Sequence, residues 1–303
     1  MKLNQIRDFI AVARAGSLRA AAKSLGLAQP SLTKSIAQLE EDLGAVLLER
    51  SSRGIRLTAA GLAFLDRAES AWHELSRGRA EVLELSQSER GSIAVGLSAA
   101  PSLIGLAHAM KSFQRAMPDV HVRVVTGNFP TVLPELRAGR LDFSIGPRPT
   151  YGVADEYVIE SLMPNSRVVV CRREHPLRRA RSLSELLGAE WILTSATGQP
   201  HEEFERYFTD HKFKPPKALM QCEYVTALLA MLAGSDMLAL LPRQWAESDV
   251  TKNLLVKIPI AEILNDADIC LIHRSGSNLT RPAKHFLTLL RRQFEYYAKA
   301  QRG

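Results

Sequence analysis

No stretch of about 18 consecutive apolar residues occurs in this chain, so no segment reads as a membrane-spanning helix. The N-terminus lacks a basic, then apolar, then small-residue export segment, and the expectation is a protein that is neither secreted nor held in a membrane. Cysteine is scarce: Cys171, Cys222 and Cys270 are three in 303 residues, which excludes a disulfide framework and fits a reducing cytoplasm. The loops and clusters that announce common chemistries are also missing. There is no G-x-G-x-x-G, G-x-x-x-x-G-K-[ST], G-x-S-x-G or H-E-x-x-H, and His201-Glu202-Glu203 lacks the second histidine of a helical zinc site. The eight histidines show no metal spacing, so neither an enzyme, nor a cofactor, nor a metal is expected.

What is present is ordinary for a globular chain. Apolar residues make up 46% and charged residues 23%, which excludes disordered and collagen-like classes. A length of 303 residues implies at least two domains. The net charge of +7 is unevenly spread. Residues 1–58 hold nine basic groups against five acidic, residues 59–90 four against six, and the much longer remainder carries +5. Positive charge is therefore densest at the N-terminus, where a phosphate-binding surface is sought first, although a merely solvated basic face gives the same numbers.

The first 58 residues read as short helices. Ile6, Phe9, Ile10 and Ala13 recur at helical spacing up to Gly16, and Ser17 is placed to cap a second helix over about 18–25 that stops at Gly26. A third helix begins near Pro30, where a proline costs no hydrogen bond, and buries Leu32, Ile36 and Leu39. Leu47-Leu48 and Arg53-Gly54 suggest a small β-hairpin closing at Leu57-Thr58. From Thr58 to about Ser88 the proline-free sequence reads as one long helix. Its stripe of Leu65, Ala68, Trp72, Leu75 and Val82 suits a seam between two chains, the alternative being a helix packed on its own domain. Glu89-Arg90-Gly91 looks like a hinge. Beyond it strands and helices alternate, with strands expected at Ser92–Leu97, Val120–Val125, Leu141–Ile145, Arg167–Cys171, Trp191–Thr194, Leu219–Cys222, Met237–Leu241 and Asp268–His273. Helices are expected from Pro101, from Pro130 and over Arg281–Ala298. Two mostly parallel α/β lobes follow from this pattern, lobe I as 91–162 plus 267–303 and lobe II as 163–266.

Residues 18–37, LRAAAKSLGLAQPSLTKSIA, hold what a DNA-reading helix pair requires. Two helices crossing at about 100° need a small residue at their contact, here Ala22, and a turn residue free to take positive φ, here Gly26. Leu25, Leu27, Leu32 and Ile36 lock the pair, which leaves Gln29, Ser31, Thr33 and Lys34 at the exposed start of the second helix. Glutamine can pair bidentately with adenine, the hydroxyls can reach base edges or phosphate, and lysine neutralises phosphate. Arg53, at the hairpin tip, can reach the neighbouring minor groove or backbone. A three-helix protein-binding module is the competing reading.

The stretch FIAVARAGSLRAAAKSLGLAQPSLTKSIAQLEEDLGAVLLERSSRGIRLTAAG (Phe9–Gly61) resembles the LysR-type transcriptional regulators. FQRAMPDVHVRVVTG (Phe113–Gly127), LRAGRLDFSIG (Leu136–Gly146) and REHPL (Arg173–Leu177) extend the resemblance over essentially the whole chain. It implies a multidomain α/β protein: a winged helix-turn-helix over 1–58, a linker or dimerisation helix and hinge over 59–90, and an inducer-binding domain over 91–303 similar to periplasmic binding proteins. It implies double-stranded promoter DNA, RNA polymerase and a small inducer as partners, and a homotetramer that bends promoter DNA differently when the inducer binds. Residue by residue it places Gln29, Pro30, Ser31, Thr33 and Lys34 in the recognition helix and Arg53 in the wing. Many members carry arginine where Lys34 stands; lysine keeps the charge but loses bidentate reading of guanine.

Ligands of open α/β sheets sit beyond the carboxyl ends of strands, where helix N-termini offer unpaired N–H groups. That selects Ser98, Ala99, Ala100, Pro101 and Ser102 after the first strand, Thr126, Gly127, Asn128 and Phe129 after the second, and Ser195, Ala196 and Thr197 in the other lobe. These positions also match those where the resembled family binds inducers. Hydroxyls and helix dipoles suit a carboxylate or sulfonate, with Phe129 to cover an aromatic ring. Arg148 can pair with an anion or lie in solvent, and Glu223-Tyr224 can line the cleft or cap a helix. LPELRAGRLDFSI (Leu133–Ile145) and CEYVTALLAMLAGSDMLALLP (Cys222–Pro242) look similar to a branch responding to aromatic sulfonates or aminobenzoyl amino acids. Two alternatives stand beside this one. A redox regulator would need two cysteines close together, one an activated thiolate. A non-catalytic solute binder would have no use for residues 1–58.

Overall fold

A computed structural model describes residues 1–51, 54–85, 91–149, 155–194, 202–262 and 267–300. The chain divides into two compact units, Met1–Arg90 with Pro134–Leu141, and Gly91–Leu133 with Asp142–Gly303.

The first unit opens with α1 (Leu3–Ala15), α2 (Leu18–Leu25) and α3 (Gln29–Leu43). The expected punctuation is in place. Gly16, Gly26 and Gly44 end the three helices in left-handed conformations, and the Ser17 hydroxyl accepts a 3.4 Å bond from the Ala20 N–H. Phe9, Val12, Ala21, Leu32, Ile36 and Leu39 form the core on which the helices converge. The hairpin is β1 (Leu48–Ser51) paired antiparallel with β2 (Gly54–Leu57). The Glu40 carboxylate accepts from the Leu47 and Leu48 N–H groups at 2.7 and 3.0 Å, and Ile55 donates to the Gly16 carbonyl at 3.0 Å, so both strands are tied to the helices. Gly54 (φ +118°) brings its Cα so close that a Cβ would lie 3.0 Å from that same carbonyl oxygen.

Helix α4 (Ala59–Leu85) starts under the Thr58 hydroxyl, which accepts a 2.9 Å bond from Gly61 N–H. The expected apolar stripe is divided along its length. Ala68 is buried in the core of its own unit, Leu65 and Trp72 pack against that core, and the Phe9 and Phe64 ring centroids lie 5.4 Å apart. Leu75 and Val82 are exposed. The first half of the helix therefore packs on its own unit, the alternative to a seam between chains: Ala68 is buried there, while Leu65 and Trp72 are only partly covered. Of the expected hinge Glu89-Arg90-Gly91, residues 89 and 90 lie outside the described residues and Gly91 opens the strand Gly91–Leu97.

The second unit carries two five-stranded sheets. Strands β3 (Gly91–Leu97), β4 (Val120–Thr126) and β5 (Phe143–Pro147) pair in parallel, with helices α5 (Ala99–Ala116) and α6 (Phe129–Arg137) between them; α6 begins in this unit and ends in the other. β6 (Tyr157–Asn165) then forms the sheet's edge, and after it the chain changes sheet at β7 (Arg167–Arg172). The second sheet is completed by β8 (Glu190–Leu193), β9 (Ala218–Gln221), β10 (Met237–Pro242) and β11 (Leu255–Lys257), with helices α7 (Glu202–Asp210), α8 (Val225–Gly234) and the short α9 (Gln244–Glu247). β12 (Ala267–Arg274) returns to the first sheet, and α10 (Arg281–Ala300) closes the chain. β8, β9 and β10 are mutually parallel, but β7 runs antiparallel to β10 and β11, and β12 antiparallel to β5 and β6. Both sheets are therefore mixed rather than mostly parallel.

Two strands were not legible. β11 is three residues long, and β6 carries Pro164 and breaks the alternation of apolar and polar residues, which an edge strand tolerates. β6 also runs to Asn165, past the lobe boundary expected at 162/163. The lobes meet at α5, where Ala99 and Leu103 pack on the core of the second sheet, and at α10, where the Tyr297 hydroxyl donates to the Glu247 carboxylate at 2.6 Å.

Candidate nucleic-acid interface and ligand cleft

The start of α3 is presented to solvent by the packing beneath it. Leu32, Ile36 and Leu39 are buried on one side, which leaves Gln29, Pro30, Ser31 and Lys34 exposed on the other and Thr33 half-buried. Gln29, Ser31, Thr33 and Lys34 make no side-chain hydrogen bond or ion pair among the described residues. Ala28 precedes the helix and brings no capping side chain, so the first-turn N–H groups are left facing outward with a fractional positive charge. The edge thus combines open amide, hydroxyl and ammonium donors, the set that reads base edges and phosphates.

Two residues that sequence reasoning passed over hold this edge in place. Asp8 on α1 is buried, accepts from the Arg7 guanidinium at 2.7 Å, and receives the Ser35 hydroxyl of α3 at 2.6 Å. Their 27-position separation leaves no local signal. Like Lys34, the cations Arg19, Lys23 and Arg56 are exposed and without an ion pair among the described residues. Arg53 lies outside the described residues.

At the carboxyl end of β3, Ser98 is buried, and its N–H donates to the Ile145 carbonyl at 2.9 Å. It stands at the N-terminus of the 18-residue α5, yet its hydroxyl neither caps that helix nor bonds any other described group. Gly146 on the neighbouring β5 keeps room beside it, since a Cβ there would sit 3.4 Å from the Ser98 Cβ and Oγ. The Ser102 hydroxyl, by contrast, donates to the Ser98 carbonyl at 2.9 Å and is spent inside the helix. Ala100 and Pro101 are buried and Ala99 faces the other lobe's core, so this segment supplies shape and backbone more than side-chain chemistry.

After β4, Thr126 and Asn128 are exposed, and the Asn128 carbonyl accepts the Thr131 and Val132 N–H groups that start α6. Phe129 corrects the expectation of a ring open to a ligand: it is buried, edge-on to Tyr157 with centroids 5.8 Å apart. Its own fold has taken the aromatic contact. Ser195, Ala196 and Thr197 lie outside the described residues. Glu223 is exposed, and Tyr224 occupies the position before α8, its carbonyl accepting Leu228 N–H at 2.9 Å. Arg148 is paired rather than free: its guanidinium lies 3.5 Å from Asp268, whose carbonyl accepts the Arg148 N–H at 2.8 Å.

None of the three cysteines is paired. All three are buried free thiols, and Cys171 and Cys222 belong to the cores on opposite faces of the second sheet. Burial pushes the Cys171 thiol up to about 11, against the weaker pull of Arg172, and raises Cys270 as well. Neither is an activated thiolate at neutral pH. Among the described residues no three His, Cys, Asp or Glu side chains converge on a metal position, and no helix is long and apolar enough to cross a membrane.

Comparison with known proteins agrees with this geometry over nearly the whole chain. A family profile described as "Bacterial regulatory helix-turn-helix protein, lysR family" matches residues 3–62, and one described as "LysR substrate binding domain" matches residues 86–295. The HTH-type transcriptional regulator ClcR of Pseudomonas putida is 32% identical over 77% of this chain and 80% of its own. The HTH-type transcriptional regulator TdcA of Escherichia coli (strain K12) is 25% identical over 97% of this chain and 94% of its own. The crystal structure of full-length CbnR with its target DNA superposes with a TM-score of 0.71 at 24% identity, covering 97% of this chain and 100% of that one.

Proposed function

The chain belongs to the LysR family of DNA-binding transcriptional regulators, which are not enzymes, and on that premise we propose that a small anionic inducer, bound between its two α/β lobes, switches its grip on promoter DNA. The functional division is a winged helix-turn-helix over 1–58, a linker helix over 59–90 and an inducer-binding domain over 91–303, with lobe I as 91–162 plus 267–303 and lobe II as 163–266. The observation that carries the reading is the first turn of α3, where Gln29, Ser31 and Lys34 are exposed with their donors unspent. Gln29 reads a base, Ser31 and Thr33 contact bases or phosphate, and Lys34 and Arg53 neutralise phosphates. The protein works in the cytoplasm as a homotetramer built from pairs of α4 helices, with Leu75 and Val82 as the exposed part of the pairing face and RNA polymerase as the downstream partner.

For the inducer, the unengaged hydroxyl of Ser98 at the start of α5 supports an oxyanion ligand, because helix-terminal N–H groups and a hydroxyl donor together stabilise negative charge. Thr126, Asn128 and Glu223 are further candidate contacts, as are Ser195 and Thr197 outside the described residues, and the ligand class is an aromatic carboxylate or sulfonate. The redox alternative loses support from the placement of Cys171 and Cys222 on opposite faces of one sheet.

A gel-shift salt series on the intergenic DNA upstream of the gene tests the DNA reading. Specific, salt-sensitive binding with a footprint over two half-sites is expected, and binding no stronger than to random duplex would overturn it. Calorimetry with benzoate-type and arylsulfonate ligands tests the inducer: heat of binding is expected in the wild type and a loss of about tenfold or more in Ser98→Ala. Absence of binding to both ligand types would remove the aromatic-acid assignment.

A further inference from the structure

The REHPL motif (Arg173–Leu177) belongs neither to the DNA-reading helices nor to the strand ends selected for the inducer. It lies in a basic stretch: five of the ten residues from Arg172 to Arg181 are arginine, against the single acid Glu174. The stretch follows β7, which runs antiparallel to β10 with Val170 opposite Ala239 and Arg167 opposite Pro242. Arg172 therefore ends its strand beside the start of β10, at the end of the second sheet away from Glu223, which follows the carboxyl end of β9.

The backbone here is held fast. His175 N–H donates to the Arg172 carbonyl at 3.1 Å, Arg178 N–H to the His175 carbonyl at 3.1 Å and Ala180 N–H to the Leu177 carbonyl at 3.0 Å, so successive turns overlap. The His175 ring is buried, accepting the Leu177 N–H on Nδ1 at 2.9 Å and donating from Nε2 to the Asp236 carbonyl at 2.9 Å. Ala180 and Leu183 are buried in the core beneath. A partner meeting such a frame has little backbone left to order.

The nearby acids are engaged elsewhere. Asp236 pairs with Arg172 at 2.7 Å, Asp249 pairs with Lys252, and Glu185 accepts the backbone N–H groups of Arg181 and Ser182 at 2.8 and 3.0 Å. Arg173, Arg178, Arg179 and Arg181 are exposed and carry no ion pair among the described residues. An apolar edge adjoins them. Arg173 donates its N–H to the Leu254 carbonyl at 3.2 Å and its guanidinium to the Lys252 carbonyl at 2.9 Å, and on that turn Val250 and Leu254 are 71% and 46% exposed.

We infer that this arginine loop and the turn at 248–254 form a docking surface for an acidic segment of a partner protein, one carrying apolar side chains among its carboxylates. Guanidinium forks match carboxylates bidentately and are more weakly hydrated than ammonium groups, which is why arginine, unlike lysine, is enriched at protein interfaces. Val250 and Leu254 add apolar anchors for which a phosphate backbone has no counterpart, so the surface fits an acidic protein segment better than nucleic acid.

Fluorescence anisotropy on the full-length protein tests it, with a labelled peptide of glutamates that carries leucine at every fourth position. An excess of random duplex DNA is present throughout to occupy the winged helix, and urea midpoints matched to the wild type control for folding. The peptide is expected to bind the wild type, and to bind Arg178→Gln/Arg179→Gln/Arg181→Gln about tenfold more weakly. Leu254→Ser is expected to bind this peptide several-fold more weakly and an all-glutamate peptide as the wild type does. Absence of binding by the wild type, or equal binding by the triple variant, overturns the inference. A triple variant with a lower salt slope on random duplex would assign the loop to nucleic acid, and one with a changed sedimenting mass would assign it to contact between copies of this chain. Either result overturns the acidic-partner assignment.

Discussion

The Ser35 hydroxyl meets the Asp8 carboxylate at 2.6 Å, joining the first helix of the chain to the middle of the reading helix. Asp8 is buried and its charge is balanced by the neighbouring Arg7, so the bond is a charge-assisted one in a partly water-excluded setting. It fixes the rotation of α3 about its axis, and with it which side chains face outward.

Ser35→Ala is accordingly expected to destabilise the N-terminal unit by about 1.5–3 kcal/mol, measured by urea unfolding of the full chain. It should also lower DNA affinity beyond what the lost stability explains, because a misrotated α3 presents the wrong edge. A variant with unaltered stability and affinity would show the bond to be incidental.

Gln29 and Lys34 should separate into a reader and an anchor. Lys34→Ala is expected to weaken binding on every sequence and to reduce the salt slope by about 0.9. Gln29→Ala should relax preference at one base position at a cost of about 1–3 kcal/mol on the best site. Binding measured on a panel of single-base operator variants at two or more salt concentrations distinguishes them. Uniform loss across the panel for Gln29→Ala would contradict a reading role.

Gly61 is required by contact and not by backbone angle. A Cβ there would lie 2.1 Å from the Leu47 carbonyl oxygen, a backbone atom that cannot swing aside. Gly61→Ala should force α4 away from the wing and destabilise the N-terminal unit by about 1–3 kcal/mol. Thermal unfolding checks this, with Gly78→Ala on the same helix as the control, since nothing lies within 4 Å of a Cβ at that position.

Cys171 supplies a pH signature. Burial raises its thiol from 9.0 to about 11, so the folded state favours the protonated form. The associated stability is fully present below the unfolded value and is lost as pH rises through about 11. Wild-type protein is expected to lose more stability between pH 9 and 11 than Cys171→Ala, in parallel urea titrations. The same burial should leave Cys171 unreactive toward thiol reagents at pH 8 until the protein unfolds.

Much of the N-terminal unit was legible because its signals are local. Gly16, Gly26, Ser17 and Pro30 mark helix ends through backbone geometry that acts within one turn, and the packing of Leu32 and Ile36 follows from helical spacing. The ends of β3 and β4 and the starts of α5 and α6 were legible in outline for a related reason, since they can be read from the alternation of elements. The sequence alone also excluded the common catalytic and nucleotide-binding loops.

Tertiary structure decided whatever depends on which surfaces meet. The stripe on α4 looks uniform in sequence, yet Ala68 and Trp72 pack on the core formed by α1, α2 and α3 while Leu75 and Val82 stay exposed. Phe129 and Ser102 carry suitable groups for a ligand, but Tyr157 and the Ser98 carbonyl claim them first. The direction of β12 and the existence of β6 follow from pairings more than 100 positions apart, and so does the clasp of Glu69 by Arg14 and Arg140, 55 and 71 positions away. Periodicity says that a face is apolar or that a charge is present; only the folded chain determines what occupies the other side.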